Sequence, residues 1–179
     1  MSDELIFQPV TDHTWPDFEA LFEAQGGPSY CWCTAWRKID GDRAKATKAD
    51  RKRCLRRYVA DRTPIGILAY DGSTPVAWCS IAPRESYTKT GGDTSLERVW
   101  SLTCFFVRRT YRGRGISEAL TIQAIHYAKA NGASYVEAYP VDPQSPSYRF
   151  MGFRPMFERL GFTFKHKAES RRYVMVRQL

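Results

Sequence analysis

The sequence predicts an α+β or mixed α/β sheet protein, and three features carry that expectation. Residues 65–70 and 76–81 are two apolar, β-prone runs joined across Asp71-Gly72-Ser73, which reads as an antiparallel hairpin. Residues 99–107 form a longer β-branched and aromatic run, followed after a glycine-containing turn by an amphipathic stretch over residues 116–130. Residues 162–165 and 173–177 supply a last hairpin across the polar segment 168–171. The 179 residues are 43% hydrophobic and 14% aromatic, which is enough for one continuous core, so one domain over residues 1–179 is expected.

The elements follow in order. Thr14 is placed to cap a first helix through Asp17, with Pro16 in the first turn and Trp15, Phe18, Leu21 and Phe22 at helical spacing. An irregular stretch, residues 26–41, holds the aromatic and cysteine cluster Tyr30-Cys31-Trp32-Cys33-Thr34-Ala35-Trp36. Those rings either line a pocket or plug one end of the sheet. Thr47-Lys48-Ala49-Asp50 is a capping box opening a second helix, with Cys54, Leu55, Tyr58 and Val59 inward, stopped before Thr63-Pro64. After the hairpin and the 99–107 strand, Asn131-Gly132 closes the third helix. A strand is expected over residues 135–141, ended by Pro140 and Asp142-Pro143, and a short helix over residues 156–160, ended by Gly161.

The formal net charge of +8 suggests an anionic partner. Much of the positive charge falls between Arg37 and Arg57, which reads as a solvated helix face or as a surface for acidic substrate or nucleic acid. Five cysteines, an odd count with no export signal, point to reduced thiols and a cytoplasmic protein. No apolar run approaches the roughly 20 residues of a membrane span, so no membrane association is expected. Cys31 and Cys33 lack the second pair or nearby His of a zinc site, so no metal is expected.

The chemistry-bearing segment runs from Cys104 to Ser117. Gly113 and Gly115 let the backbone approach a ligand, and the helix behind them offers unpaired N–H groups and the positive end of its dipole. A pyrophosphate fits that environment, with Arg112, Arg114 and Ser117 adding polar contacts. A P-loop would need Lys then Ser or Thr after the second glycine, and a dinucleotide fingerprint a third glycine; neither is present.

On these residues the sequence resembles the GNAT superfamily of N-acetyltransferases. The family signature Gln/Arg-x-x-Gly-x-Gly/Ala maps onto Arg112-Gly113-Arg114-Gly115-Ile116-Ser117, with Ser117 where the family has Gly or Ala. The resemblance covers residues 65–176 in element order, with the residues before them suiting two opening helices. It implies a mixed, mostly antiparallel twisted sheet flanked by helices, and acetyl-CoA as cosubstrate. The strand before the turn, at Phe105, Phe106 and Val107, would splay from its neighbour and free backbone groups for the pantetheine arm. Residues 156–162 resemble the family's Tyr-x-x-Leu-Gly-Phe segment, with Phe157 where the family's proton-donating tyrosine stands. Phenylalanine donates no proton.

An attacking amine must be neutral, which calls for a base or a water chain. Glu137 as base and Tyr139 as substitute acid share one face of the strand opposite the cofactor strand, and Ser101 could relay through water. Glu97, Asp142 and Tyr148 are weaker candidates. The acceptor is a small-molecule or peptide amine, enclosed by the aromatic cluster with Trp78, Tyr87 and Trp100, or recognised through Arg84 and Arg98. Competing readings are an acyl-CoA-binding regulator that keeps the cofactor turn without turnover and, less favoured, a basic nucleic-acid-binding protein using the Arg37–Arg57 region. Pairing of exposed strands would give a homodimer.

Overall fold

A computed structural model describes residues 4–179. Seven strands form one sheet in the order β1-β2-β3-β4-β5-β7-β6, where β1 is Ile6–Pro9, β2 Ile67–Asp71, β3 Thr74–Pro83, β4 Val99–Val107, β5 Tyr135–Ala138, β6 Thr163–Lys167 and β7 Tyr173–Gln178. Every neighbouring pair is antiparallel except β4–β5, which is parallel. The expected mixed, mostly antiparallel sheet is therefore present.

Helices cover both faces. α1 (Trp15–Glu23) and α2 (Lys48–Ala60) lie on one side, where Phe18, Leu21, Phe22, Leu55 and Val59 pack against Leu68 and Trp78. On the other side α3 (Ile116–Ala130) and α4 (Arg154–Arg159) bury Leu120, Ala124, Ala128 and Phe157 against Ala77, Leu102 and Val136. The boundaries of β4 and α3 agree with the sequence pattern, and the Thr47/Asp50 capping box is made in both directions.

Several local expectations are corrected. Thr14 does not cap α1 through Asp17. Its hydroxyl donates to Pro9 O (2.8 Å) and accepts from Thr11 N, while Asp17 accepts from the Tyr70 hydroxyl at 3.0 Å. β1 went unpredicted because four residues with alternate positions exposed make too short a pattern to stand out. α4 begins two residues early, at Arg154, with Pro155 in its first turn.

β5 ends at Ala138 rather than Val141, and the reason shapes the site. Beyond Ala138 the chain leaves β4: Val141 N donates to Gly152 O (3.0 Å) and Arg154 N donates to Val141 O (3.0 Å). β4 continues alone on that side to Val107, and a gap opens between the two parallel strands.

Candidate active site

The β4–β5 ladder pairs Val99 with Tyr135 through Leu102 with Ala138 and goes no further. At the far end of β4, Arg108 N donates to Val76 O on β3 (2.9 Å), so alternation turns the backbone groups of Phe105 and Val107 away from β3 and into the gap. Their side chains diverge, Phe105 towards Phe157 and Phe106 towards Phe22. The Val107 carbonyl is taken by Arg112 Nε (3.0 Å), and the strand N–H groups facing the gap are suited to an extended, amide-bearing ligand.

The turn after β4 is held in place from outside. Tyr111 donates its hydroxyl to Asp71 at the β2–β3 corner (2.6 Å), and the Arg114 guanidinium lies 4.9 Å from the Tyr111 ring. Gly113 and Gly115 adopt φ of +76° and +73° with open space where a Cβ would stand, so the backbone can be approached closely. Gly115 is the N-cap of α3, and the first helical bond runs from Ala119 N to Gly115 O. The N–H groups of Ile116, Ser117 and Glu118 precede that bond, so they have no helical acceptor. Ile116 itself is buried in the core, which leaves only its backbone for a ligand. Arg112 borders the cleft with its Nε donating to Val107 O (3.0 Å), and beside it Arg108, Arg109 and Arg112 edge a smaller hollow against the end of α1. Backbone donors, a helix dipole and guanidinium groups converge here, an arrangement suited to an anion.

The cleft above this turn holds about 610 Å³. One side comprises Phe105, Phe106, Val107, Arg112 and Ser117; the other wall comprises Tyr30, Cys31, Trp36, Phe150, Phe153 and Met156. A more open groove of about 800 Å³ lies between α3 and β7, around Ile122, His126 and Arg159, but it contains none of the turn's backbone donors.

The aromatic cluster of the 26–41 stretch therefore divides. Trp32 is buried among Trp15, Phe18 and Phe22, whereas Tyr30, 71% exposed, and Trp36 face the cleft. Trp78 and Trp100 belong to the two cores, and Tyr87 is buried beneath the Arg37 guanidinium at 4.0 Å, so these three do not enclose an acceptor. Arg84 donates to Asp93 O and Leu96 O, and Arg98 to the Ser134 hydroxyl; neither borders the cleft. The wall segment 149–153 was not anticipated. Its only sequence signal was an aromatic pair about a glycine, Phe150 and Phe153 around Gly152.

Ser101, Glu137 and Tyr139 are brought together, but not at the cleft surface. The Tyr139 hydroxyl is 2.7 Å from both Ser101 Oγ and Glu137 Oε2, and it accepts from Thr90 Oγ1 (2.9 Å). Glu137 Oε1 accepts from Asp93 N (2.7 Å), and Gly92 packs so closely that a Cβ there would overlap the carboxylate. All three residues are fully buried. Burial, reinforced by the neighbouring carboxylate, pushes the Tyr139 phenol well above its ordinary value. Phe157 is likewise buried, against Phe162 and the Gly152 backbone, and Met156 borders the cleft instead. Asp142 accepts from the Tyr173 hydroxyl (2.7 Å), and Tyr148 leans on Trp36.

Three thiols, Cys31, Cys33 and Cys104, line the cleft. Cys33 Sγ and Cys104 Sγ are 2.8 Å apart as free cysteines, and Cys33 N donates to Cys31 Sγ (3.4 Å). The contact with Cys33 and burial raise the Cys31 thiol; burial and the Cys104 contact raise Cys33. Both stay protonated and are poor nucleophiles at neutral pH.

Much of the basic region around α2 is engaged within the fold. Lys52 pairs with Glu19 and Glu23, Arg56 with Asp12, Arg57 with Asp40 and Arg53 with Asp50, while Arg43 and Arg51 donate to Thr34.

Residues 7–162 match the family model described as the acetyltransferase (GNAT) family. No functionally curated protein matches the chain at the sequence level. Among solved structures, the chain is similar to a GNAT-family acetyltransferase from Streptococcus pneumoniae (14% identity, TM-score 0.59, covering 98% of this chain and 100% of that one). It is also similar to YncA, a putative acetyltransferase from Salmonella typhimurium in complex with acetyl-CoA (15%, 0.60, 98% and 94%). A third is the PaiA N-acetyltransferase from Thermoplasma acidophilum in complex with coenzyme A (12%, 0.57, 98% and 99%).

Proposed function

The chain belongs to the acetyltransferase (GNAT) family, and on that premise we propose that it transfers the acetyl group of acetyl-CoA to a primary amine by direct attack on the thioester. The observation that carries this reading is the continuity between the β4–β5 gap and the Gly113–Ser117 turn, which offers an extended arm and a pyrophosphate adjoining sites.

In this reading the pyrophosphate lies on the backbone of Gly113, Gly115, Ile116 and Ser117, with Arg112 and Arg114 neutralising its charge. The pantetheine arm pairs with the backbone of Phe105 and Val107 beside the Phe106 ring. An N–H of the same segment stabilises the oxyanion as the amine adds to the carbonyl carbon. The raised thiols of Cys31 and Cys33 favour a single transfer over an acetyl-cysteine intermediate.

Glu137, Tyr139 and Ser101 act as positioning residues. Ser101 faces Glu137 one rung before the strands part, and the Tyr139 hydroxyl joins both. The network fixes where β4 and β5 separate, and so where the thioester carbonyl sits. The five free thiols fit a cytoplasmic location, and no described helix is long and apolar enough to cross a membrane. The exposed β6 edge is where two copies would pair as a homodimer. Phe157 in place of the family's tyrosine supports a second reading, a regulator that binds acetyl-CoA without turnover.

Calorimetric titration with acetyl-CoA tests the first reading. Wild type should bind in the micromolar range; Gly115→Glu, which adds a side chain at φ +73° and a negative charge at the anion site, should weaken binding by about 100-fold or more. Equal binding by the variant would refute the assignment of the turn. Thiol release with an amine separates the enzyme from the regulator.

A further inference from the structure

The acceptor wall carries a feature that selects among amines: its aromatic rings are already faced by the protein's own cations. Arg172 lies 4.2 Å from the Trp36 ring, fixed by Nη1 donating to Thr90 O (3.0 Å). Arg149 lies 4.8 Å from the Phe153 ring, fixed by Nη1 donating to Ser145 O (3.2 Å) and to Pro143 O. Each of these rings already has one guanidinium partner: Arg149 also borders the cleft, whereas Arg172 lies behind Trp36, outside the cleft lining, and pairs with Glu169 at 3.6 Å. Among the described residues, the cleft lining includes no carboxylate to offset Arg149. Glu137, the carboxylate on β5, is sealed beneath Gly92 and Asp93. An ammonium would enter an apolar, ring-lined volume bordered by the Arg149 guanidinium and without a carboxylate, where its charged form is disfavoured.

The wall itself is apolar and ring-rich. Tyr30 and Phe150, 71% and 39% exposed, form its lips, and Met156 and Cys31 its lining. Cys33 and Tyr148, the latter packed on Trp36, are non-glycine residues at φ +49° and +57°. Strained backbone thus lies within the cleft at Cys33 and behind Trp36 at Tyr148, the kind of strain that collects at binding sites.

We propose that the acceptor is a weakly basic aromatic amine, a small molecule whose amino group is neutral at physiological pH and whose ring seats between Trp36, Phe150 and Phe153. This rests on the acetyltransferase reading above. The nitrogen lone pair attacks the thioester carbon, the C–N bond forms, and the C–S bond breaks with its electron pair on sulfur. The proton the nitrogen loses reaches the departing thiolate through water. Because the amine arrives neutral, the reaction needs neither a carboxylate base in the cleft nor a phenol where Phe157 stands.

The test is thiol release by the full chain with acetyl-CoA and three amines: 4-methoxyaniline, benzylamine and spermidine, from about pH 6 to about pH 8.5. At neutral pH, kcat/KM for 4-methoxyaniline should exceed that for benzylamine by about tenfold or more and stay flat with pH, whereas the benzylamine value should rise about tenfold per unit as its neutral fraction grows. Benzylamine or spermidine surpassing 4-methoxyaniline at neutral pH overturns the proposal and leaves the acetyltransferase intact. Binding of acetyl-CoA without thiol release to any of the three, or to a pool of other amines, overturns both. Phe150→Glu, on the exposed lip, adds the missing carboxylate and should raise kcat/KM for benzylamine while lowering it for 4-methoxyaniline. No rise with benzylamine would sink the electrostatic argument.

Discussion

The two halves of the cleft are built by different means. The side proposed for the cofactor is one contiguous segment, residues 105–117, and the groups it offers are mostly backbone: strand N–H groups, two left-handed glycines and a helix start. The acceptor side comes from segments more than a hundred residues apart, 28–36 and 149–156, and its character is set by side chains. A backbone site depends on conformation and tolerates many substitutions; a side-chain site is redefined by each one. A family can therefore keep one cofactor while the acceptor varies between members.

The strongest way to break this comparison is to show that the acceptor loop is merely a flexible lip. It is anchored by Trp32, which stacks on Phe22 with centroids 5.2 Å apart and packs against Trp15 and Phe18. Trp32→Ala should destabilise the fold by about 3–5 kcal/mol in urea unfolding. Tyr30→Ala, two residues away but exposed, should stay within about 0.5 kcal/mol of wild type. Equal effects would mean that the loop has no core and that the cleft wall is not preformed.

That pair also shows where reading the sequence stops. The turn was legible because glycines and arginines at fixed offsets, followed by a 3.6-residue apolar period, report their own conformation. β4, α3 and the α2 capping box were legible for the same local reason. Whether Trp32 or Trp36 points inward was not, because Trp32 and Cys33 both adopt φ +49° and break any periodic facing. The 149–153 wall was hidden for a different reason: its place at the cleft depends on tertiary contacts such as the Val141–Phe153 bridge, made after β5 leaves β4. Strand periodicity placed Glu137 and Tyr139 on one face correctly, but it could not reveal the Gly92–Asp93 loop that seals them.

A smaller effect sharpens the assignment of that sealed network. Glu137→Gln keeps an acceptor for Asp93 N but weakens the bond with Tyr139 and removes the charge facing Arg84 at 3.5 Å. A loss of about 1–3 kcal/mol in stability is expected. With a positioning role, kcat should fall modestly and the shape of the pH–rate profile should persist. A changed profile together with a 100-fold or larger drop, on the scale of about 10²–10⁴ for general base catalysis, would make Glu137 the base after all.

The smallest effect concerns Ser117, the one departure from the family's signature in the turn. At the start of α3 its N–H precedes the first helical bond, and that donor survives any substitution except proline. Its hydroxyl is the part the family's Gly or Ala would lack, and it borders the cleft beside Arg112. If the hydroxyl donates to a phosphate oxygen, Ser117→Ala should weaken acetyl-CoA by about 0.5–1.5 kcal/mol, a few-fold to roughly tenfold in Kd. Ser117→Gly should lose slightly more through reduced helix propensity. If alanine binds equally well, the anion site is backbone and guanidinium alone, and the contrast between a backbone-built cofactor side and a side-chain-built acceptor side becomes sharper still.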